Sequence, residues 1–171
     1  MSVRQLRPDE WQTARDVRLR ALQESPDAFA SSYAEEIERP DSWWEEGARK
    51  LAWFVAEDGK NVVGVAAGMP VDEHCEVISM WLDPEHRGRG AADDLVAAVA
   101  AWAGARGATG LCLAVAADND RARRFYERAG FVATQAGEAL RSRPSVCTTE
   151  MRLEFGAMPP TAPPTPPSPA P

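Results

Sequence analysis

Apolar runs separated by turn residues predict a three-stranded antiparallel meander in the first half of the chain. Residues 51–56 and 62–71 are apolar runs on either side of Asp58-Gly59, a dipeptide typical of β-hairpin turns. A third apolar run, residues 75–82, ends before Pro84, which has no N–H group to donate to a strand ladder. We therefore expect three antiparallel strands, the last of which is buried at the centre of the sheet.

Apolar residues spaced by three and four positions predict helices before and after these strands. The N-terminal helices are expected to begin at Asp9, at Ser25-Pro26 and at Pro40, where a capping residue or a proline precedes the apolar stripe. The clearest helical pattern spans residues 91–106, and the last helix is expected between residues 119 and 129.

Short apolar runs predict four more strands, at residues 3–7, 111–115, 131–134 and 146–153. The last two are expected to form a hairpin across residues 137–144. Because strands and helices alternate in the second half, we predict an α/β fold with a mixed sheet flanked by helices. The length of 171 residues suits a single domain, which we place at residues 1–155.

The C-terminal segment has a different composition. From residue 156 onward the chain consists almost entirely of Pro, Ala, Thr and Ser, which cannot bury a core. We therefore predict that residues 156–171 form a disordered tail with polyproline II character. Its Pro-x-x-Pro spacings are of the kind that SH3-like domains bind, but so repetitive a tract produces them by chance, and a dispensable tail is the simpler interpretation.

Charge and cysteine content narrow the classes of partner. The formal net charge of −7 argues against nucleic acid, because binding a phosphate backbone needs a basic surface. The same acidity suits a cationic acceptor such as an amine, and it is equally explained by solubility alone. Three widely spaced cysteines and two histidines predict neither a disulfide framework nor a metal site. We expect the cysteines to be buried as small hydrophobic residues in a reducing compartment.

Targeting signals are not expected. The N-terminus lacks the apolar segment of a signal peptide, and the longest apolar run, residues 95–105, is too short to cross a membrane. These features predict a cytoplasmic protein without a membrane partner.

A glycine-rich turn after the central strand has the features of an anion-binding site. Arg87-Gly88-Arg89-Gly90 precedes the helix that begins at Ala91. Glycines let the backbone approach a ligand, and the free N–H groups and dipole at a helix start favour negative charge. The Gly-Lys-Ser/Thr sequence of a P-loop is missing, and Asp93 replaces the third small residue of a Rossmann fingerprint. By itself, the turn is equally consistent with an ordinary strand-to-helix connection.

Two motifs in the right order resemble the GNAT superfamily of acyl-CoA N-acyltransferases. Arg87-x-x-Gly90-x-Ala92 is similar to the Arg/Gln-x-x-Gly-x-Gly/Ala motif of that family. Residues 119–131, which include Asn119, Phe125-Tyr126 and Gly130-Phe131, are similar to its second signature. The resemblance implies a central, mostly antiparallel sheet that is splayed at an acetyl-CoA site. It also implies that the protein is an enzyme that moves an acetyl group from acetyl-CoA to an amine.

The resemblance further implies how the cofactor is bound. Backbone amides of residues 88–92 would hold the pyrophosphate, arginines would add positive charge, and the N–H of Met80 would stabilise an oxyanion. The cofactor-binding residues implied in this way are Met80, Trp81, Leu82, Arg87, Gly88, Arg89, Gly90, Ala91, Ala92, Asn119, Arg124 and Tyr126. Arg123, by contrast, is expected on a solvated face.

Transfer to an amine needs a base for the acceptor, a donor for the oxyanion and an acid for the leaving thiolate. By the resemblance Tyr126 is the acid, and a phenol with a pKa of about 10 is protonated at neutral pH. Glu76, four residues before Met80, matches the strand glutamate that serves as base in Gcn5-type acetyltransferases. A water chain is one alternative for the base, and the competing side chains are Glu73, His74 and Glu36. No cysteine stands in a Cys–His arrangement, which agrees with direct transfer.

The N-terminal helices, by the same resemblance, form one wall of the acceptor pocket. The candidate acceptor residues are Phe29, Tyr33, Glu36, Trp43 and Trp44, although each aromatic side chain is also explained by packing against the sheet. We expect the acceptor to be a primary amine of a small molecule. A protein N-terminus or lysine is the first alternative, and a non-catalytic sensor of acyl-CoA is the second. The family also suggests a homodimer.

Overall fold

The computed structural model describes residues 1–156, which form one mixed sheet and five α-helices. The strands are β1 (Ser2–Gln5), β2 (Ala52–Asp58), β3 (Asn61–Val71), β4 (His74–Leu82), β5 (Gly110–Ala116), β6 (Val132–Leu140) and β7 (Arg143–Glu154). The helices are α1 (Trp11–Glu24), α2 (Tyr33–Ile37), α3 (Asp41–Lys50), α4 (Ala91–Gly104) and α5 (Asp120–Arg128). The predicted α/β fold and its meander β2–β3–β4 are confirmed. The predicted tail, apart from Gly156, lies outside the described residues.

The sheet has the strand order β1-β2-β3-β4-β5-β7-β6, and each of its faces carries its own core. Alternate residues of β2 show the division, since Phe54 packs on the face covered by α4 and α5 while Val55 packs on the face covered by α1 to α3. Leu95 of α4 and Leu22 of α1 are almost fully buried in the two cores. Burying a side chain of this size stabilises the fold by about 1.5–3 kcal/mol.

Strands β4 and β5 are parallel neighbours that separate after three residue pairs. The last pair joins Glu76 to Cys112, and within residues 1–156 no further β4–β5 pair follows it. The second half of β4 also carries a bulge, because Ala67 and Val65 of β3 pair with Ile78 and Trp81. The extra residue is accommodated at Ser79, whose φ of 57° lies in the left-handed region. The result is an opening in the middle of the sheet between the carboxyl halves of β4 and β5.

The helix predicted to begin at Ser25-Pro26 is wrong as a single element. The structure has a 3₁₀ turn at Pro26–Ala28, extended backbone at Phe29, and a separate start for α2. Ser32 accepts a hydrogen bond from the N–H of Glu35, and the Glu35 carboxylate accepts one from the N–H of Ser32 at 2.9 Å. This capping box begins a new helix and interrupts the apolar stripe.

The last hairpin turns later than predicted. Strand β6 continues through Gly137 to Leu140, and the turn lies at residues 141–142 instead of 137–144. A Cβ atom at Gly137 would lie 2.2 Å from Oγ1 of Thr148 on β7, so this glycine allows a close approach between strands.

The prediction that all three cysteines are buried is also wrong. Cys75 is buried, Cys112 is half-buried and Cys147 is exposed. Cys147 lies on β7 and belongs to neither of the two cores. Among residues 1–156, no helix combines the length and the apolar character needed to cross a bilayer.

Candidate active site

The glycine-rich turn between β4 and α4 leaves its backbone open. Gly88 and Gly90 have φ values of 75° and 87°, which favour glycine, and Gly90 is the N-cap of α4. No atom lies within 4 Å of a Cβ atom built at either position. Free space therefore lies beside both glycines at the start of α4, and the unpaired amides of a helix start bind anions in such a place.

Arg87 anchors this turn to two other elements. Its Nε donates to the carbonyl oxygen of Leu82 at 2.8 Å, and its Nη2 donates to Oε2 of Glu24 at 2.9 Å. The same oxygen of Glu24 accepts a hydrogen bond from Nε1 of Trp81 at 2.9 Å. Burial alone would raise the pKa of Glu24, but hydrogen bonds from Ser25 and Trp81 and the charge of Arg87 outweigh it and hold the pKa below its usual range. The carboxylate is thus charged and joins the end of α1 to the glycine-rich turn.

A cavity of about 390 Å³, here called the loop cavity, lies between the glycine-rich turn and α5. Of the predicted cofactor-binding residues, those that line it are Met80, Trp81, Leu82, Arg87, Gly88, Ala92, Asn119, Arg124 and Tyr126. Arg89 and Gly90 are exposed and Ala91 is buried in the core under α4; all three lie outside this lining.

Two arginines at the loop cavity were missed by the sequence interpretation. Arg121 and Arg128 line it together with Arg124, and all three are exposed on α5. Their spacing of three and four residues places them on one helix face, a signal that the sequence does contain. Arg123 lies elsewhere on α5, paired with Asp120 at 2.9 Å and Glu127 at 3.8 Å. The free positive charge of α5 is therefore concentrated at the cavity.

A second cavity of about 260 Å³, here called the strand cavity, lies in the opening between β4 and β5. It meets the loop cavity at shared lining residues, which are Ala28, Phe29, Met80, Asn119, Ala122 and Tyr126. Asn119 has a structural task here, since its Oδ1 caps α5 by accepting from the N–H of Ala122 at 3.1 Å. Burial raises the pKa of Tyr126 well above its usual value, so the phenol is protonated at neutral pH.

Glu76 lies on the lining of the strand cavity at the point where β4 and β5 separate. It also lines a third cavity of about 180 Å³, together with Glu150 and Arg152. Burial is the main cause that raises the pKa of Glu76, and the negative charge of Glu150 raises it further. The competing candidates lie elsewhere: Glu73 and His74 line a separate cavity beside the end of α4.

The structure distributes the predicted acceptor residues over four environments. Phe29 lines both the loop cavity and the strand cavity. Tyr33 and Trp44 pack in the core under α1 to α3, and Trp43 is 42% exposed. Glu36 is buried in an ion pair with Arg18, so it is not a free base, and it is not in the lining of the strand cavity. Aromatic residues on short helices pack against whichever neighbour the tertiary fold supplies, and the sequence does not specify that neighbour.

The β6–β7 turn is tied by hydrogen bonds to the segment before α2, next to the strand cavity. Ser142, in the β6–β7 turn, donates a hydrogen bond to the carbonyl oxygen of Phe29. Arg143 donates to the carbonyl oxygen of Asp27 at 2.6 Å and to the carboxylate of Asp118 at 2.7 Å. Leu140 at the end of β6 lines the cavity and is buried. The β6–β7 hairpin and the 25–29 segment are thereby joined next to the strand cavity.

Within residues 1–156, no group of three or more His, Cys, Asp or Glu side chains is placed to hold a metal ion.

Comparison with known proteins identifies the architecture. The acetyltransferase (GNAT) family model matches residues 11–131. No curated protein sequence is significantly similar to the chain.

Solved structures share the fold at low identity. The ribosomal-protein-S18-alanine N-acetyltransferase from Escherichia coli is 17% identical with a TM-score of 0.69, covering 94% of this chain and 97% of that one. The structure of yncA from Salmonella typhimurium, solved with its cofactor acetyl-CoA, is 18% identical with a TM-score of 0.70, covering 95% and 99%. A spermidine N-acetyltransferase chimera from Vibrio cholerae and hSSAT is 20% identical with a TM-score of 0.66, covering 90% and 94%.

Proposed function

Because the chain belongs to the acetyltransferase (GNAT) family, we propose that it transfers an acetyl group from acetyl-CoA directly to the primary amine of a small molecule. The observation that carries this proposal is the meeting of two cavities at Met80 and Tyr126. One cavity ends at a glycine-rich helix start with arginines, and the other contains a half-buried carboxylate, Glu76.

The loop cavity fits the phosphates of acetyl-CoA. The open space beside Gly88 and Gly90 admits a pyrophosphate to the backbone amides at the start of α4. Arg121, Arg124 and Arg128 border the same cavity. Within residues 1–156, none of the three forms an ion pair with a carboxylate. Arginine is well suited to phosphate because its planar fork offers paired donors.

Acetyl-CoA supplies the thioester and, after transfer, the thiolate that leaves. The N–H of Met80 follows the bulge in β4, at the junction of the cavities, and is the proposed donor to the carbonyl oxygen as negative charge develops there. Tyr126 holds a proton at neutral pH and donates it toward the departing sulfur. Within the described residues no cysteine lines either cavity, which supports transfer without an acyl-enzyme.

Glu76 is the proposed base. An alkylamine has a pKa near ~10 and arrives as ammonium, so it must lose a proton before it can attack. A carboxylate with a raised pKa is the stronger base, and Glu76 borders both the strand cavity and the third cavity. The third cavity gives the abstracted proton a route away from the reacting atoms, past Glu150.

A small acceptor is favoured over a protein by the shape of the site. The strand cavity, at about 260 Å³, is smaller than the roughly 300–1,000 Å³ of sites for drug-sized ligands. A protein N-terminus or lysine as acceptor, and a non-catalytic acyl-CoA sensor, are the alternatives that the experiment below separates. The cytoplasmic location and the homodimer stay predictions.

Calorimetric titration with acetyl-CoA, followed by thiol release with a panel of amines, tests the proposal. The panel contains amino acids, polyamines, aminoglycosides and short peptides with free N-termini. Binding of acetyl-CoA together with thiol release on a small amine supports the proposed function. Release on peptides alone supports a protein acceptor, and binding without release on any amine supports the sensor. A protein that does not bind acetyl-CoA contradicts the proposal altogether.

A further inference from the structure

The strand cavity contains a buried arginine that the reaction described above does not use. Arg18 of α1 lines this cavity and is only 8% exposed. Its Nε and Nη2 donate to the two carboxylate oxygens of Glu36 at 3.1 and 2.8 Å. Nη2 also donates to Oγ of Ser31 at 2.9 Å, and the guanidinium lies 4.5 Å from the centroid of the Phe29 ring. The side chain is thus held on three sides.

One nitrogen of this guanidinium is left over. Nη1 of Arg18 is buried and has no hydrogen-bond partner within residues 1–156. Nε and Nη2 form the edge of the planar guanidinium that faces Glu36, so Nη1 lies on the edge away from that carboxylate. A buried donor without an acceptor is costly in a folded protein, and an ordered water, an ion or a ligand atom can serve as its partner.

The remaining lining of the strand cavity shows what kind of molecule such a ligand would be. Glu76 is the single carboxylate among the described lining residues, and Arg18 is the single cationic side chain. Apolar side chains make up part of the same lining, and they include Phe29, Ile78 of β4 and Leu140 of β6. A molecule with an amine, an oxyanion and a short apolar body matches all three features.

We propose that the acceptor is an amino acid with an apolar side chain, whose carboxylate accepts a hydrogen bond from Nη1 of Arg18 while its amine faces Glu76. This inference rests on the proposed function and adds the substrate class to it. The ion pair with Glu36 holds the guanidinium in place and balances its charge when the cavity is empty. A charge-assisted hydrogen bond from a fixed arginine is stronger than one between neutral groups, so the carboxylate contributes selectivity as well as affinity.

Matched acceptors test this in the unmodified protein. Leucine, methionine and phenylalanine are each compared with their amide and with the amine that lacks the carboxyl group, by thiol release from acetyl-CoA. The values of kcat/KM are expressed per neutral amine, because the three forms differ in amine pKa. We expect at least one amino acid to exceed both of its partners by roughly tenfold or more, as one charge-assisted hydrogen bond implies. Equal or better turnover of the carboxylate-free amines overturns the inference but leaves the proposed function standing. Acetyl-CoA binding without turnover of any amine overturns both.

Variants of the arginine provide the second test. Arg18→Lys retains a positive charge opposite Glu36 but lacks Nη1, and we expect it to reduce the preference for the carboxylate to less than about threefold. Arg20→Lys is the matched control on the same helix, because Arg20 donates to the carbonyl oxygen of Val62 and does not line the strand cavity. If Arg18→Lys does not fold, Arg18→Gln combined with Glu36→Gln removes both buried charges and should lose the same preference. If Arg18→Lys, or the double variant used in its place, keeps the full preference for acceptors with a carboxylate, the proposed role of Arg18 is overturned.

Discussion

Glu24 and Arg87 form an ion pair at 2.9 Å that joins the last residue of α1 to the start of the glycine-rich turn. The oxygen that accepts from Arg87 also accepts from Trp81, on the bulged half of β4. The end of α1, the bulged half of β4 and the start of the glycine-rich turn therefore meet at one carboxylate. The helical layer that carries Arg18 and the turn proposed to bind phosphate are positioned relative to each other by this contact.

Glu24→Ala is expected to weaken acetyl-CoA binding roughly two- to tenfold, as the loss of one or two hydrogen bonds implies. The reason is positional, since Arg87 loses the partner that orients it beside Gly88. Glu24→Gln keeps an oxygen at the same place and should lose less. Calorimetric titration of both variants measures the difference, and an alanine variant that binds as tightly as the original protein would contradict this role.

Arg124→Ala is expected to reduce acetyl-CoA affinity roughly three- to tenfold at low salt, with a smaller effect as salt rises and screens the phosphates. Arg123→Ala is the matched control one position away, because Arg123 pairs with Asp120 and Glu127. It should change the affinity by less than about twofold. Equal losses in the two variants would show that α5 contributes only its overall charge.

Glu76→Gln should lower kcat/KM by roughly 10²–10⁴-fold, the range for loss of a general base. In the original protein the rate should fall on the acid side with a pKa above the ordinary value of about 4.3, because burial raises the pKa of Glu76.

A raised pKa means that the folded state binds the proton more tightly. Stability should therefore decrease as the pH rises from the unfolded pKa through the folded one, and Glu76→Gln should remove this decrease. Rate and denaturation profiles against pH check both signs.

Glu150→Gln separates the electrostatic contribution from the chemistry. The charge of Glu150 helps to raise the pKa of Glu76, so removing it should move the acid limb of the rate profile to lower pH. Glu127→Gln on α5 is a control that should leave the limb in place, since Glu127 is not among the causes of that shift. An unmoved limb in Glu150→Gln would indicate that another group sets the profile.

Tyr126→Phe should lower kcat roughly tenfold or more and leave the Kd for acetyl-CoA within about twofold. The phenyl ring keeps the packing of Tyr126 against Phe125 and Phe131, whose centroids lie 5.1 and 5.5 Å away, so only the proton donor is lost. Single-turnover kinetics with pre-bound acetyl-CoA measures the chemical step. Unchanged turnover would exclude Tyr126 as the acid.

Local signals in the sequence were sufficient for most of the fold. The Asp58-Gly59 turn, the start of α4 after Gly90 and the cap of α5 at Asn119 each depend on residues within a few positions of one another. Where a second local signal competed, the prediction failed. The capping box at Ser32 restarted a helix that the apolar stripe alone had suggested was continuous.

The site was predictable where a motif describes it and unpredictable where distant segments meet. The glycine-rich turn and Tyr126 are placed by motif spacing alone. The ion pair of Arg18 with Glu36 joins residues 18 positions apart on two helices, and the pair of Glu24 with Arg87 joins residues 63 positions apart. The spacing of apolar residues along the sequence does not indicate such pairings between distant charged residues. The sequence interpretation therefore assigned Glu36 to the acceptor site and did not single out Arg18.

The bulge in β4 reverses the alternation of side chains between the two faces of the sheet within a single strand. Ile78 and Trp81 are three positions apart, yet both pack on the α1 face, whereas an unbroken strand would place them on opposite faces. Deleting one residue at Ser79 would therefore remove the bulge and leave Trp81 on the α1 face, whereas inserting one residue there would turn Trp81 toward α4 and away from Glu24. The amino half of the strand pairs with β3 and with β5. The carboxyl half, offset by one residue, does not pair with β5 within residues 1–156 and borders the two cavities proposed to bind the ligands. An insertion at this position should therefore be as harmful to the protein as the loss of a catalytic side chain.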